Sequence, residues 1–300
     1  MNGALAIDIG QTGLRVRGDE GEVVGFSLGV TALTSEEHVR SLAQRIAAHV
    51  PEGTRAEHVG VGLSGFVDGS DAPHALAAHL KEALGARSVV VAADAVTAFL
   101  GTVGARPGTV VICGTGVAAL GIDTGASPRR IDARGYLLGD VGGGFWIGQR
   151  GLQAALDALE GRGEPTALAG HSERLGTPSD IYLQAMGSVP PPKFVAEFAP
   201  DVIRAAAEGD SVAHDIVRAA ASELAQSIRA ARISDGPIGL TGGLVRAPLF
   251  VEEVRAALGH IGLPVDDVLV RADAALEGAR VIAEDASIRP AFAGLIAVKE

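Results

Sequence analysis

One local layout occurs twice in this chain and limits the folds open to it. Residues Ala4 to Ile7 are apolar, Asp8-Ile9-Gly10-Gln11-Thr12-Gly13 turns, and Leu14-Arg15-Val16-Arg17 alternates. That pattern predicts a strand, a tight turn and a returning strand. It starts again at Thr109 to Cys113, turns at Gly114-Thr115-Gly116 and returns over Val117 to Ile122. A chain that restarts in this way and then alternates strands with helices predicts two related α/β units with a cleft between them.

The rest of the chain fills in these units. Glu22 to Leu28 reads as a third strand. Thr34 and Glu37 form a capping box ahead of Val39, Leu42, Ile46 and Val50 at helical spacing. Val59 to Leu63 reads as a short buried strand. The spacing then predicts a helix over 72–84, closed by Gly85 in the left-handed conformation. Ser88 to Ala92 is another buried strand, with Asp94 as N-cap of the next helix. In the second block a glycine-rich loop over Gly135 to Gly144 precedes a helix over Phe145 to Leu159. Leu168 to Lys193, with Pro190-Pro191-Pro192, reads as an irregular surface excursion. Ser211 to Ile233 is a long helix with Ile216, Ala220, Leu224 and Ile228 on one stripe. Gly239 to Gly243 ends a strand and opens a helix at Leu244, and a helix over Asp273 to Glu284 follows. The expected units are 1–108 together with about 273–300, and 109–272.

Charge narrows the partners. With 25 basic and 36 acidic residues the 300-residue chain carries −11. It therefore repels nucleic acid and anionic membrane surfaces, and neither is an expected partner. An anionic ligand must instead be held by local devices: backbone N–H groups, helix N-termini or a metal. The start, MNGALAIDIGQTG, lacks the basic and long apolar runs of a signal peptide, and no apolar stretch approaches the roughly 20 residues of a membrane span. A cytoplasmic location is expected. The eight histidines show no metal-ligand clustering, and Trp146 reads as core at the base of the glycine loop.

Three segments carry the candidate chemistry. Phosphoryl transfer needs a metal and donors around the phosphates. Asp8, at the end of a strand, can hold Mg²⁺, often through water. Gly10 and Gly13 let the backbone approach a phosphate, and Gln11 and Thr12 can donate to it. Gly114-Thr115-Gly116 repeats the device. Leu240-Thr241-Gly242-Gly243, before a helix, lets a phosphate or flat group lie against the backbone. Each alone also reads as an ordinary hairpin or as close helix–strand packing.

In this order the three resemble the phosphate-1, phosphate-2 and adenosine segments of the acetate kinase, sugar kinase, heat-shock chaperone and actin superfamily. Within it, Gly135-Tyr-Leu-Leu-Gly-Asp140-Val-Gly-Gly-Gly-Phe-Trp146-Ile-Gly148 resembles the glycine-rich segment of N-acetylglucosamine kinases and BadF-type ATPases. Val91-Ala-Ala-Asp94-Ala, Ala196-Glu-Phe-Ala-Pro200 and the helix after Gly209-Asp210 resemble that family too. The resemblance implies a two-domain actin-like (ribonuclease H-like) α/β fold with a ligand cleft between the domains, and ATP with Mg²⁺ as cofactors. It implies nucleotide contacts at Gly10, Gln11, Thr12, Gly114, Thr115, Gly116, Gly242 and Gly243, and Asp8 at the metal. Asp94 becomes the catalytic base, Asp140 a sugar contact, and Gly114 and Thr115 face the sugar. The implied reaction moves the γ-phosphate of ATP to the 6-hydroxyl of an amino sugar, N-acetylglucosamine or glucosamine. A homodimer is compatible with it.

Position alone gives Asp94 two readings: helix cap, or base at the end of a buried strand facing the cleft. An alcohol is so weakly acidic that the base need only accept its proton late in a loose transition state. The chain departs from the family in two places. Asp140-Val141-Gly142-Gly143 stands where Asp-Glu-Gly-Ser is usual, and Ser27-Leu28-Gly29-Val30-Thr31 lacks the usual Asn. Both departures remove polar partners from a sugar pocket, and such partners carry discrimination. They leave room for a nucleotide-binding regulator or pseudokinase, or for a BadF-type ATPase acting on another substrate. Dehydratase activators of the superfamily carry an iron–sulfur cluster, which needs about four thiolates. Cys113 is the single cysteine, so even a dimer has two. The zinc motif of repressor-related sugar kinases is absent too.

Overall fold

The computed structural model describes residues 3–10, 13–18, 21–25, 35–51, 53–54, 56–187 and 191–300. The first block contains β1 (Ala4–Ile9), β2 (Leu14–Gly18), β3 (Gly21–Gly25), α1 (Glu36–Ala47), β4 (His58–Leu63), α2 (Ala72–Leu84), β5 (Ser88–Ala93) and α3 (Asp94–Thr102). The second opens with β6 (Gly108–Cys113), β7 (Val117–Ile122), β8 (Arg129–Asp132) and α4 (Gly144–Leu159). Helices α5 (Leu168–Ser172), α6 (Pro178–Gly187), α7 (Pro191–Ala196), α8 (Ala199–Ala207) and α9 (Ser211–Ala231) follow. The chain ends with β9 (Ile238–Thr241), α10 (Pro248–His260), β10 (Val268–Arg271), α11 (Ala275–Glu284) and β11 (Ile296–Lys299).

The strands form two sheets. The first has the order β11-β5-β4-β1-β2-β3 and the second β10-β9-β6-β7-β8. Each contains an antiparallel hairpin, β1–β2 or β6–β7, with a parallel neighbour on one side, β4 or β9, and an antiparallel one on the other, β3 or β8. The repeated layout read from the sequence is therefore a repeated sheet. After β10 the chain leaves the second sheet, and β11 pairs antiparallel with β5 in the first. Val89 to Ala93 are fully buried, as a continuous apolar strand covered on both faces must be.

Helix α3 is the wall shared by the two halves. Every residue from Ala95 to Thr102 is buried, and α11 crosses it with almost no side chain between the backbones. A Cβ on Gly278 would lie 1.7 Å from the Thr97 carbonyl oxygen, and one on Gly101 would lie 1.9 Å from that of Ala274. Only glycine allows that approach.

Several local expectations shift. Helix α2 ends where expected, with Gly85 at φ 63°. The cap of α1 is Ser35, whose hydroxyl accepts from His38 N–H; Thr34 lies outside the described residues. Asp94 is the first helical residue rather than the cap, which is Ala93. The expected excursion over 168–193 is instead largely helical, with α5, a 3₁₀ turn, α6 and the start of α7. Proline at a first helical turn is well tolerated, so Pro191 and Pro192 open α7 rather than breaking structure. Pro190 lies outside the described residues. Gly243–Arg246 forms a 3₁₀ turn, and α10 begins at Pro248 rather than at Leu244.

Candidate active site

The parallel register of β1, β4 and β5 brings Ile9, Leu63 and Ala93 to one edge of the first sheet. Asp8, Ser64 and Asp94 gather there. Ser64 N–H donates to Ile9 O at 2.8 Å, tying the strand ends together. The Asp94 carboxylate accepts from Ala95 N–H at 2.8 Å and from the Ser64 hydroxyl. Burial, with the Asp8 charge adding to it, pushes Asp94 up from 3.8 to about 6, against those hydrogen bonds and the positive charge of Arg130. Asp94 therefore lies within electrostatic reach of Asp8 at the turn after β1. Thr97 Oγ1 donates to Asp94 O at 3.0 Å and fixes the first turn of α3.

Asp8 is mostly buried and receives the Arg15 guanidinium, with Nη2 at 2.7 Å and Nε at 3.2 Å from Oδ2. Gly10 N–H donates to Gly13 O at 2.9 Å and closes the turn. Gln11 and Thr12, the expected phosphate donors, lie outside the described residues, as does Ser27 to Thr31. No group of three or more His, Cys, Asp or Glu side chains able to hold a metal occurs among the described residues. A single carboxylate suits Mg²⁺ carried in on nucleotide phosphates, the usual arrangement for this ion, and Asp8 would hold it.

The matching edge of the second sheet carries the other two turns. Gly114 N–H donates to Gly116 O at 3.1 Å, closing the phosphate-2 hairpin. The glycine-rich segment is fastened over it: Gly144 N–H donates to Gly114 O at 2.8 Å and Phe145 N–H to Thr115 O at 2.9 Å. Gly242, at φ 103°, lies against β6 so closely that a Cβ would sit 2.5 Å from the Cys113 carbonyl oxygen. Gly243 is exposed, with open space above it. The Gly114–Gly116 and Gly242–Gly243 turns thus form one continuous backbone surface.

Asp140 occupies an unexpected place. It is 3% exposed, and its carboxylate accepts from the Val117 and Gly135 amides. A Cβ on Gly116 would lie 2.3 Å from its Oδ2. Burial pushes it from 3.8 to about 6, and the Asp132 charge adds to that. Asp140 N–H in turn donates to Asp132 Oδ1 at 2.8 Å. In this structure Asp140 braces the phosphate-2 hairpin from within. Asp132, Ala133 and Asp140 all have positive φ, at 65°, 58° and 59°. Such backbone costs of order 1 kcal/mol or more per residue and concentrates at functional sites.

Contacts across the two edges complete the site. Arg130, on β8, donates to Phe66 O at 3.2 Å and pairs with Asp68 at 3.0 Å, both beyond β4. Arg15 also pairs with Asp273 at 3.0 Å, and Asp273 with Arg246 at 2.6 Å. The sequence reading passed over Ser64, Arg130, Asp132 and this charge chain. Ser64 alone carried a local signal, as a polar residue ending a buried strand before Gly65. Cys113 is fully buried and its thiol is pushed up to about 12, so it is no thiolate ligand. Hollows of about 540 and 650 Å³ lie elsewhere, around Phe99, Pro107 and Asp123, and contain none of the candidate residues. Among the described residues no helix is long and apolar enough to cross a membrane.

The chain is 32% identical over 145 residues to an N-acetylmuramic acid/N-acetylglucosamine kinase from Clostridium acetobutylicum, a match covering 47% of each protein, or about half of that relative's length. It is 26% identical over 235 residues to a glucosamine kinase from Vibrio cholerae, covering 75% of this chain and 78% of that one. Its fold matches a protein from Porphyromonas gingivalis, provisionally assigned as an N-acetylglucosamine kinase, with TM-score 0.75 and 19% identity over 92% of this chain and 97% of that one. This last likeness is one of fold, the actin-like arrangement of two sheets. Residues 5–280 match the family's own pattern, and the chain belongs to the BadF/BadG/BcrA/BcrD ATPase family.

Proposed function

We propose that this protein is a cytoplasmic ATP-dependent kinase that transfers the γ-phosphate to the 6-hydroxyl of an amino sugar, N-acetylglucosamine or glucosamine. The observation that carries the reading is Asp94. It is a carboxylate held at about 6 at the start of a buried helix, within electrostatic reach of Asp8. The names of the two kinase relatives support the substrate class.

On this reading the nucleotide lies along the Gly114–Gly116 and Gly242–Gly243 backbone, with Gly10, Gln11 and Thr12 at its terminal phosphates. Gly114 and Thr115 border the sugar, and Asp140 shapes that border from within the hairpin. The sugar hydroxyl oxygen attacks the γ-phosphorus and the bond to the bridging oxygen of ADP breaks. Asp94 accepts the hydroxyl proton late in that step. Mg²⁺, when bound, neutralises charge on the phosphates. Closure of 1–108 with 273–300 onto 109–272 excludes the water that would otherwise take the phosphoryl group.

The test compares kcat/KM for N-acetylglucosamine, glucosamine and glucose with Mg-ATP. An amino sugar should lead. Val141 and the missing Asn near Val30 take away polar partners; losing one such partner costs about 1–3 kcal/mol, so KM for N-acetylglucosamine should be weaker by at least roughly 5- to 150-fold than in a site retaining them. A wide lead for glucose, or for a compound that is not a sugar, overturns the assignment.

A further inference from the structure

Four side chains of alternating charge join the two sheet edges. Asp8 is the penultimate residue of β1, and Arg15 faces it from β2, giving Nε and Nη2 to Asp8 Oδ2. The remaining nitrogen, Nη1, turns away and donates to Asp273 Oδ1 at 3.0 Å. Arg246 Nη2 approaches Asp273 from the other side, 2.6 Å from each carboxylate oxygen. Asp273 lies between β10 and α11, where the chain passes from the second sheet back to the first. Arg246 ends the 3₁₀ turn that begins at Gly243. The chain thus runs from the phosphate-1 turn to the adenosine turn, with two negative and two positive groups.

The arrangement divides each arginine's attention. A guanidinium presents planar donors that suit carboxylate and phosphate oxygens equally. Asp273 draws part of Arg15 away from Asp8, leaving Asp8 more negative towards a cation. It also holds Arg246 beside the turn where a nucleotide would lie, and cancels charge that would otherwise attract phosphates. A triphosphate without metal meets two carboxylates there. One carrying a divalent cation has less negative charge for those carboxylates to repel.

We infer that Asp273 is a positioning residue that makes the site prefer metal-loaded over metal-free nucleotide, acting through Arg15 and Arg246 without touching either ligand. The inference rests on the reading of this cleft as a nucleotide site. Removing the Asp273 charge leaves the chain with a net positive charge and returns Arg15 to Asp8. Metal-free nucleotide then gains, and the advantage conferred by the metal shrinks. Loosened structure alone would weaken both forms together.

The test measures equilibrium binding of a non-hydrolysable ATP analogue by calorimetry, once with excess Mg²⁺ and once with a chelator. Asp273→Asn should bind the metal-free analogue roughly 3- to 10-fold tighter than wild type, with no gain for the Mg²⁺ form. Arg246→Gln, an exposed change, should do the opposite and weaken the metal-free form by a similar factor. Equal weakening of both forms in Asp273→Asn, or no change in their ratio in either variant, overturns the inference and leaves the nucleotide reading standing. A wild-type protein that binds neither form overturns both.

Discussion

Replacing Asp94 by Asn should separate what this carboxylate does for chemistry from what it does to the fold. Asp94 sits at about 6 in the folded chain against an ordinary 3.8. The difference, at 1.36 kcal/mol per pH unit, corresponds to about 3 kcal/mol. The sign follows from proton counting. Between 3.8 and about 6 the folded protein holds the proton and the unfolded chain does not, so stability falls as pH rises through that window. Asp94 is only partly buried, which makes the figure a ceiling, and the penalty near pH 7 should be about 1–3 kcal/mol. The amide of the Asp94→Asn variant would keep an oxygen able to accept from Ala95 N–H. It would lose the buried charge. Urea denaturation followed by far-ultraviolet circular dichroism should show Asp94→Asn more stable than wild type by about 1–3 kcal/mol near pH 7, with the gap closing towards about pH 4. Phosphoryl transfer should be lost in the same variant. A variant less stable than wild type near pH 7, or a gain that does not change with pH, would refute the reasoning.

Wild-type kcat/KM should fall as pH drops below about 6, because a protonated Asp94 cannot accept the hydroxyl proton. Asp8→Asn should move that inflection to lower pH even as it reduces the rate, since the Asp8 charge helps hold Asp94 up; an unmoved inflection would mean that the two carboxylates do not sense each other. Gly116→Ala places a Cβ 2.3 Å from the buried Asp140 carboxylate. It should lower stability by about 1–3 kcal/mol and weaken nucleotide and sugar binding together. A fully stable Gly116→Ala protein would show that Asp140 does not brace the hairpin.

The sequence announced those parts of the molecule whose causes are local. Both hairpins, the buried strand Val89–Ala93 and the Gly85 helix stop follow from residues adjacent in the chain. The repeat of Gly/Thr turns foretold two sheets because each turn type serves a returning strand. What stayed hidden depends on contacts between distant segments. Arg15 looked like an alternating residue on a half-exposed strand, and nothing near it announces Asp273 or Arg246. Asp140 beside Gly139 reads as a turn residue, but only the folded hairpin turns its carboxylate inward to the Val117 and Gly135 amides. Pro191 and Pro192 looked like breakers because a run of prolines gives no local sign that it opens a helix, as it does for α7. Arg130 reaches Phe66 and Asp68 only because β8 lies beside the loop that follows β4.

The bare backbone crossing of α3 and α11 has a mechanical meaning. Both helices adjoin the first sheet: α3 follows β5 directly, and α11 packs on β1 and β4. A contact with no side chain to rearrange cannot be adjusted by rotamer changes, so it locks α3 to that sheet as one stiff piece. Asp94 lies three residues from Thr97, roughly 4.5 Å along the helix at 1.5 Å per residue. Its carboxylate is thereby held to the frame of the first sheet with little slack, and its alignment is set by backbone rather than by side-chain packing.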